Sequence, residues 1–374
     1  MLILGDHFGY PGNIRHGVTS YFLNTLPALA ASGVALDACF LREPHPAAEA
    51  LRGQGLYPTF LNAPRWDLLV ALRVAALARR RGATIIHAAG IKATLIARIA
   101  ARLTGARVVI QAHDLLRPGF AVGRLHRLFA RSADTGVGVS TAVRDNVVAA
   151  YHVRPSQARI IHNGVPPSER PLSGTRARVR RALGISPQAD VIAMIARMHP
   201  IKGHRIMLRI MARVAAACPR AVLLLAGDGP ERAACERLAA ELGLEDRVRF
   251  LGSREDVPDL LEASDLVVSP SESEGLPTVA IEACAAGRPV IGFDSGGLRD
   301  IITDGKSGFL VEQGDERGFA AAVTALLSDR DRLRAFGDAA REEAARFTLD
   351  RHVRQLIDCY RDAASGPAPA RKGS

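Results

Sequence analysis

Short apolar runs alternate with stretches whose apolar residues recur every three or four positions, and this alternation continues through most of the 374 residues. In the first half the β-type runs include Val34–Phe40, Thr84–His87 and Arg107–Gln111. The stretches of helical period include Thr19–Ala31, Asp67–Arg80 and Lys92–Leu103. In the second half the runs are Val191–Ile195, Ala221–Leu225, Val248–Leu251, Leu266–Val268 and Pro289–Ile291, with a helical pattern between each pair. Runs that are apolar nearly throughout, rather than at every second position, predict parallel sheets covered on both faces. Two successive series of this kind predict two doubly wound α/β domains.

The break between the series is readable. Asn163-Gly164-Val165-Pro166-Pro167 is turn-forming, and a polar, Arg-rich stretch follows to about Leu183. The predicted domains are residues 1–165 and 166–347. A helix over 348–364, with Thr348 as its N-cap, is expected to return toward the first domain, and a Pro/Gly/Ala-rich tail over 365–374 is expected to be disordered.

Composition narrows the class without naming a function. Hydrophobic residues make up 48% and charged residues 23%, as in ordinary globular chains. No apolar stretch approaches the ~18 residues a membrane span needs. The segment Met1-Leu2-Ile3-Leu4-Gly5-Asp6 lacks the basic and apolar regions of a secretion signal. Cys39, Cys218, Cys235, Cys284 and Cys359 show no ligand-like spacing and read as buried thiols of a reducing compartment. The expected location is therefore cytoplasmic.

Charge adds an asymmetry. The net charge is +11, and residues 1–165 hold 19 Lys+Arg against 8 Asp+Glu, which is the whole excess. Arg79-Arg80-Arg81 and the series Arg117, Arg124, Arg127, Arg131 are the candidates for a basic docking surface. A basic balance also invites a nucleic-acid reading, but aromatics make up only 5% and are not interleaved with the basic residues for base stacking. No nucleic-acid partner is expected.

In an open α/β sheet ligands bind beyond the carboxyl ends of the strands, so the residues there are the candidates for chemistry. After Val191–Ile195 come Arg197 and Lys202, five apart across a strand-to-helix turn and placed to converge on one anion such as a diphosphate. Two surface cations on a loop would look the same. Lys202 stands out because it is one of four lysines in an Arg-dominated chain. After Leu266–Val268, Glu274-Gly275-Leu276-Pro277 runs into a predicted helix Thr278–Ala286, whose first amides suit an anion or a polyhydroxyl ligand. Glu282 lies about a turn into that helix among Ala280, Ile281, Ala283 and Cys284, a setting that implies partial burial. His113 follows Arg107–Gln111, where a lone histidine is more often a structural residue than a ligand. Gly9, Gly12 and Gly17 would permit close approach of backbone to ligand. Gly227-Asp228-Gly229 lacks the third glycine of a dinucleotide fingerprint, and no P-loop, zinc-protease, serine-hydrolase or metal-binding Asp-x-Asp string is present, so no metal is expected.

Taken together these segments resemble the family 4 retaining glycosyltransferases of GT-B fold. The string from Glu274 to Ile291, with Glu282 eight residues after Glu274, matches that family's Glu-x7-Glu block. Asn163-Gly164-Val165, Arg197…Lys202-Gly203, Gly227-Asp228-Gly229-Pro230, Phe250-Leu251-Gly252 and Gly296-Gly297 fall in the family's order. His16-Gly17 stands where the family commonly has Gly-Gly, and Ala196 where it often has Gly. The resemblance implies two Rossmann-like domains facing a cleft, with a nucleoside-diphosphate sugar as donor substrate and no further cofactor. It implies that Arg197 and Lys202 hold the donor diphosphate and that Gly17 admits the phosphates. Glu274 and the backbone of Gly275, Leu276, Pro277 and Thr278 would hold the sugar, and Glu282 the ribose. Gly252, Ser253 and Arg254 would line the base, with His113 beside the reacting sugar. A hexose-type sugar would pass, with retention and without a metal, to a glycan, lipid-linked or small-molecule acceptor. The basic first half points to an anionic acceptor or to peripheral contact with anionic lipid at the inner membrane surface. A nucleotide-sugar 2-epimerase or a phosphorylase of the same fold are the alternatives.

Overall fold

A computed structural model describes residues 1–9, 17–64, 67, 69–166 and 174–365. Gly12, His16, the polar stretch over 167–173 and the tail from 366 onward lie outside the described residues. The chain forms two compact units, Met1–Pro166 with Thr348–Ser374, and Pro167–Phe347.

The first unit holds seven parallel strands: β1 Leu2–Gly5, β2 Asp37–Phe40, β3 Thr59–Phe60, β4 Ile85–Ala89, β5 Arg107–Ala112, β6 Thr135–Gly138 and β7 Ala158–Ile160, in the order β3-β2-β1-β4-β5-β6-β7. Leu2, Ile3 and Leu4 are all buried, as are Val108, Val109 and Ile110, which is the mark of strands covered on both faces. One face packs on the helix Gly17–Ala31 through Phe22, Leu26 and Leu29. The helix Leu349–Ser365, from the far end of the chain, covers the same face through Val353, Leu356 and Cys359. Thr348 Oγ1 accepts from Arg351 N at 3.3 Å and caps that helix.

The second unit holds six parallel strands: β8 Asp190–Ile195, β9 Ala221–Ala226, β10 Val248–Gly252, β11 Leu266–Ser269, β12 Val290–Phe293 and β13 Gly308–Val311, in the order β10-β9-β8-β11-β12-β13. The helices His204–Ala217 and Glu316–Ser328 bury Met207, Leu208, Met211, Phe319 and Val323 against one face. On the other, Val179 and Leu260 close over Ala226. Both units are doubly wound. All five cysteines are buried and free.

Two expected boundaries move by three residues. The apolar run from Val34 becomes strand only at Asp37, and the helix expected from Asp67 is formed over Val70–Arg80. In the first case β2 starts where Asp37 N can donate to Met1 O, at 3.0 Å, so the neighbouring strand sets the start.

Candidate functional site

Strand order locates the site before any side chain is considered. In the second unit the chain runs outward from β8 through β9 to β10, then returns to the other side of β8 as β11. The loops after β8 and β11 therefore diverge at a topological switch point, the usual crevice of such sheets. The loop after β8 carries Arg197 and Lys202, and the loop after β11 carries Glu274–Pro277.

Backbone bonds lock these loops together. Met198 N donates to Asp228 O at 2.9 Å, Glu272 N to Ile201 O at 2.9 Å, and Gly297 N to Glu274 O at 3.0 Å. Glycine is required where they meet. Gly203 has φ +75°, and a Cβ there would overlap the Pro270 carbonyl; a Cβ on Gly297 would overlap that of Gly275. This frame sets Lys202 Nζ 2.8 and 2.9 Å from the two carboxylate oxygens of Glu274. The pair is mostly buried, at 27% and 11% side-chain exposure.

Beyond Glu274 the chain enters the helix Thr278–Ala285. No side chain among the described residues caps its start at Pro277, which leaves first-turn amides available to a ligand at the positive end of the helix. Leu276 is buried beneath it. Glu282, one turn on, is half-buried. Among the described residues no cation or hydrogen-bond donor meets its carboxyl, and desolvation raises its pKa to about 7. Gly252 ends β10, the edge strand of the sheet, and Ser253 and Arg254 follow it. The Gly252 carbonyl accepts from Gly227 N at 2.7 Å, Ser253 is exposed, and Arg254 forks onto Asp256 at 2.8 and 2.6 Å. Three strand spacings separate β11 from β10, roughly 14 Å, so only an elongated ligand would reach both.

Gly17 and His113 belong to the first unit. Gly17 opens the helix after β1, and among the described residues nothing lies within 4 Å of where its Cβ would be. His113 follows β5; its ring centroid is 4.3 Å from that of Tyr21, and burial lowers its pKa to about 3. The structure thus brings Lys202 and Glu274 into contact, with Arg197 on the same loop as Lys202 and Glu282 on the helix that follows Glu274. It sets Gly252–Arg254 along the same carboxyl edge and Gly17 and His113 in the other unit.

Two features are absent from the sequence reading. One is the direct Lys202–Glu274 contact. The other is Asp6, at the end of β1, which accepts from Lys92 N at 3.1 Å and from Ala93 N and so caps the helix Ile91–Thr104. Burial raises its pKa to about 6. The signal for Asp6 was its place directly after a four-residue apolar run. Of the basic candidates, Arg124 and Arg127 are exposed, whereas Arg131 is half-buried and donates to Ala106 O at 3.3 Å. Arg79 is turned onto the Leu103 carbonyl and Arg81 pairs with Asp37 at 3.4 Å. No helix among the described residues is long and apolar enough to cross a membrane.

Parallel sheets of this order, with a topological switch point, define doubly wound α/β domains. Residues 15–169 match the family described as Glycosyltransferase Family 4, and residues 175–343 match that described as Glycosyl transferases group 1. The N-acetyl-alpha-D-glucosaminyl L-malate synthase of Bacillus anthracis is 30% identical over 311 residues, 80% of either chain. The D-inositol 3-phosphate glycosyltransferase of Corynebacterium kroppenstedtii is 36% identical over 254 residues, 65% of this chain and 56% of that protein, so the match spans little more than half of that relative. Among solved structures, Anabaena HepE in complex with UDP-glucose superposes with a TM-score of 0.83 at 22% identity, covering 96% of this chain and 99% of that one. A glycosyltransferase from Rickettsia africae superposes with a TM-score of 0.85 at 18% identity, covering 98% and 99%. The chain belongs to glycosyltransferase family 4, and its fold is GT-B.

Proposed function

We propose that this protein is a retaining, metal-independent glycosyltransferase that moves a hexose-type sugar from a nucleoside-diphosphate sugar to an anionic acceptor. The observation that carries this is the Lys202–Glu274 pair at the β8/β11 switch point, a cation and a carboxylate side by side at an open helix start. Lys202 and Arg197 hold the diphosphate, Glu274 accepts from sugar hydroxyls, and Glu282 accepts from the ribose. Gly275–Thr278 supply backbone contacts, and Gly252–Arg254 lie where the base would end. For the first unit the reading keeps Gly17 as a residue for phosphates and His113 as one for a sugar. That HepE was solved with UDP-glucose supports a nucleotide sugar as donor.

The chemistry follows from charge. The anomeric carbon–oxygen bond to the outer phosphate breaks, and the bond from the acceptor oxygen forms on the same face. The departing phosphate takes the acceptor's proton. Negative charge grows on the diphosphate, and side-chain cations with helix-end amides stabilise it without a metal ion. For the acceptor, the two relatives' names specify an inositol phosphate and malate, both anions, and the first 165 residues here carry the entire positive excess.

A second observation favours a lipid surface near the acceptor side. The helix Phe120–Phe129 exposes Phe120 by 84% and Leu128 by 68%, with Leu116 exposed just before it. Arg124 sits over the Phe120 ring at 5.8 Å, and Arg127 is exposed beside Leu128. Apolar side chains among arginines suit the headgroup region of an anionic membrane.

The test of the principal reading is a thermal-shift screen against nucleotide sugars and free nucleotides, followed by product analysis of the best donor with an anionic acceptor. A ligand at 100 times its Kd raises stability by ~2.7 kcal/mol. Transfer to the acceptor is the expected product. Free 2-epimerised sugar nucleotide or a sugar phosphate would replace the transferase by an epimerase or a phosphorylase.

A further inference from the structure

In the first unit, the sheet face bearing Ile85, Ala89, Val109, Val137 and Ile161 is apolar except along one row. The row runs diagonally across the sheet: β4 contributes His87, which pairs with Val109, and β5 contributes Gln111, which pairs with Ala89. His113 follows two residues later, the spacing that keeps side chains on one face of a strand. His87 is 2% exposed and Gln111 1%. Two helices from opposite ends of the chain cover the row with matching polar groups. Tyr21 donates from Oη to Gln111 Oε1 at 2.7 Å, and Tyr360 Oη lies 2.6 Å from His87 Nδ1. His352 Nδ1 donates to the His162 carbonyl at 2.7 Å. The Tyr21 ring stands between two imidazoles, its centroid 4.3 Å from that of His113 and 5.6 Å from that of His352.

Polar groups in an apolar core are costly unless paired, and a connected set of them fixes one arrangement. Here the set runs from His87 to the carboxyl edge of the sheet and ends on His113, whose Nε2 is enclosed with no hydrogen-bond partner among the described residues. We infer that Tyr21 is a positioning residue for His113: its ring sets the imidazole, while Gln111 and His352 hold the ring. The inference rests on reading His113 as the group beside the reacting sugar. The terminal helix thereby serves the acceptor-side unit twice, through its apolar face and through His352 and Tyr360.

The titratable groups around His113 are Tyr21 on the helix Gly17–Ala31, His87 on β4, His352 on the terminal helix and Asp114 beside it in the chain. None of the first three is a carboxylate, burial holds His87 and His352 near pKa 4, and burial pushes the Asp114 carboxyl up toward its neutral form, which weakens it as a counter-charge. A neutral His113 gives the sugar a hydrogen-bonding group without adding charge.

The test uses the full chain labelled at histidine, with the His113 resonance assigned by its loss in His113→Gln. In the unsubstituted protein it stays neutral down to about pH 5. Tyr21→Leu removes the ring, and His113 is expected to titrate higher by about one pH unit or more. With UDP-glucose as donor, kcat is expected to fall about tenfold while donor KM stays within about twofold. Tyr21→Phe keeps the ring and loses the hydroxyl's hydrogen bonds to Gln111 and Thr25, so it shifts both readouts in the same direction by less. That near-isosteric variant also serves if the leucine variant does not fold. A His113 titration that is unchanged in both variants overturns the positioning role, whatever the melting temperatures do. A titration that moves while transfer does not would leave Tyr21 in place and overturn the role of His113.

Discussion

One ammonium group meets both oxygens of one carboxylate where Lys202, after β8, reaches Glu274, after β11, 72 residues later in the chain. The proposed donor needs both partners separately, Lys202 for phosphate and Glu274 for sugar hydroxyls. Binding must therefore divert an ammonium that Glu274 already holds. The two residues are expected to respond in opposite ways. Lys202→Ala should weaken UDP binding by about tenfold or more, since it removes a charge-assisted contact. Glu274→Gln should leave UDP binding unchanged or tighten it by about two- to fivefold, because the lysine loses its competing anion. Transfer should fall in both. Calorimetric titration with UDP measures the first effect and steady-state transfer the second; equal losses of UDP affinity in the two variants would refute this division.

Glu282 gives a pH dependence of known sign. Its pKa near 7 means that much of the population is protonated at neutral pH, while an ionised carboxylate is the better acceptor for a diol. UDP affinity should therefore fall as pH drops from about 8 to 6, by up to about tenfold per unit once below the pKa. Glu282→Gln, which cannot ionise, should bind UDP more weakly at pH 8 and show a flat profile. An unsubstituted protein whose profile matches that of the glutamine variant would separate Glu282 from the ribose.

The first unit also has an acid-labile core. His87, His126 and His352 are buried with pKa values lowered to about 4 by desolvation, against 6.5 for an unfolded histidine. Below that value the unfolded chain takes up protons that the folded chain refuses. Their contribution is complete above pH 6.5 and is lost as pH falls toward about 4, at up to ~1.4 kcal/mol per pH unit for each histidine. Asp6, raised to about 6, works in the opposite sense and offsets part of the loss. Urea midpoints should accordingly decline from about pH 6.5 downward. His126→Gln should flatten the slope by about one proton's worth, and a midpoint independent of pH over this range would show that these groups are solvated.

The fold was readable to the extent that strands are continuous apolar runs. Val191–Ile195 and Ala221–Leu225 announce themselves, and the structure extends each by a single residue, at Asp190 and Ala226. Thr135–Gly138 does not, because two of its four residues are glycine. One of these exists for packing: a Cβ on Gly138 would overlap the backbone of Arg144 in the following helix. Leu2–Gly5 is only four residues long and carries no turn signal on its amino-terminal side. The site was readable as pieces, since each candidate lies just beyond a strand and strand ends could be located. The Lys202–Glu274 contact was not, because it depends on β11 lying beside β8. That adjacency is a fact of sheet order, which local patterns of hydrophobicity do not encode.

Arg98 is the largest fully buried side chain among the described residues, and several partners hold it. Its guanidinium pairs with Asp134 at 2.8 Å and donates to the carbonyls of His126 and Tyr151 at 3.1 and 2.7 Å. Removing one member leaves the other charge buried alone, at a cost of about 3–5 kcal/mol. Arg98→Met should therefore lower the urea midpoint sharply. The double change Arg98→Met with Asp134→Leu should restore most of the loss, since an apolar pair needs no partners. UDP titration at low denaturant serves as a control, because both residues lie in the first unit and the proposed UDP contacts in the second. Equal instability of the single and double variants would mean that the backbone carbonyls, and not the ion pair, dominate the site.

The exposed helix Phe120–Phe129 makes the lipid reading separable from the acceptor reading. An anionic small-molecule acceptor needs positive charge alone, whereas a membrane surface also uses the apolar side chains. Vesicles of phosphatidylglycerol mixed with phosphatidylcholine should co-sediment with the protein, and phosphatidylcholine alone should not. Phe120→Ser with Leu128→Ser should reduce that binding about tenfold or more without changing transfer to a soluble acceptor, from the loss of two buried apolar side chains. Arg124→Gln with Arg127→Gln should reduce it at low salt, each arginine being worth ~1 kcal/mol at an anionic surface. At about 0.5 M salt the arginine effect should vanish while the phenylalanine effect persists, because screening removes the Coulomb contribution and leaves the apolar one. Co-sedimentation that is insensitive to Phe120 and Leu128 would reduce the surface to a basic patch and leave the charge to the acceptor.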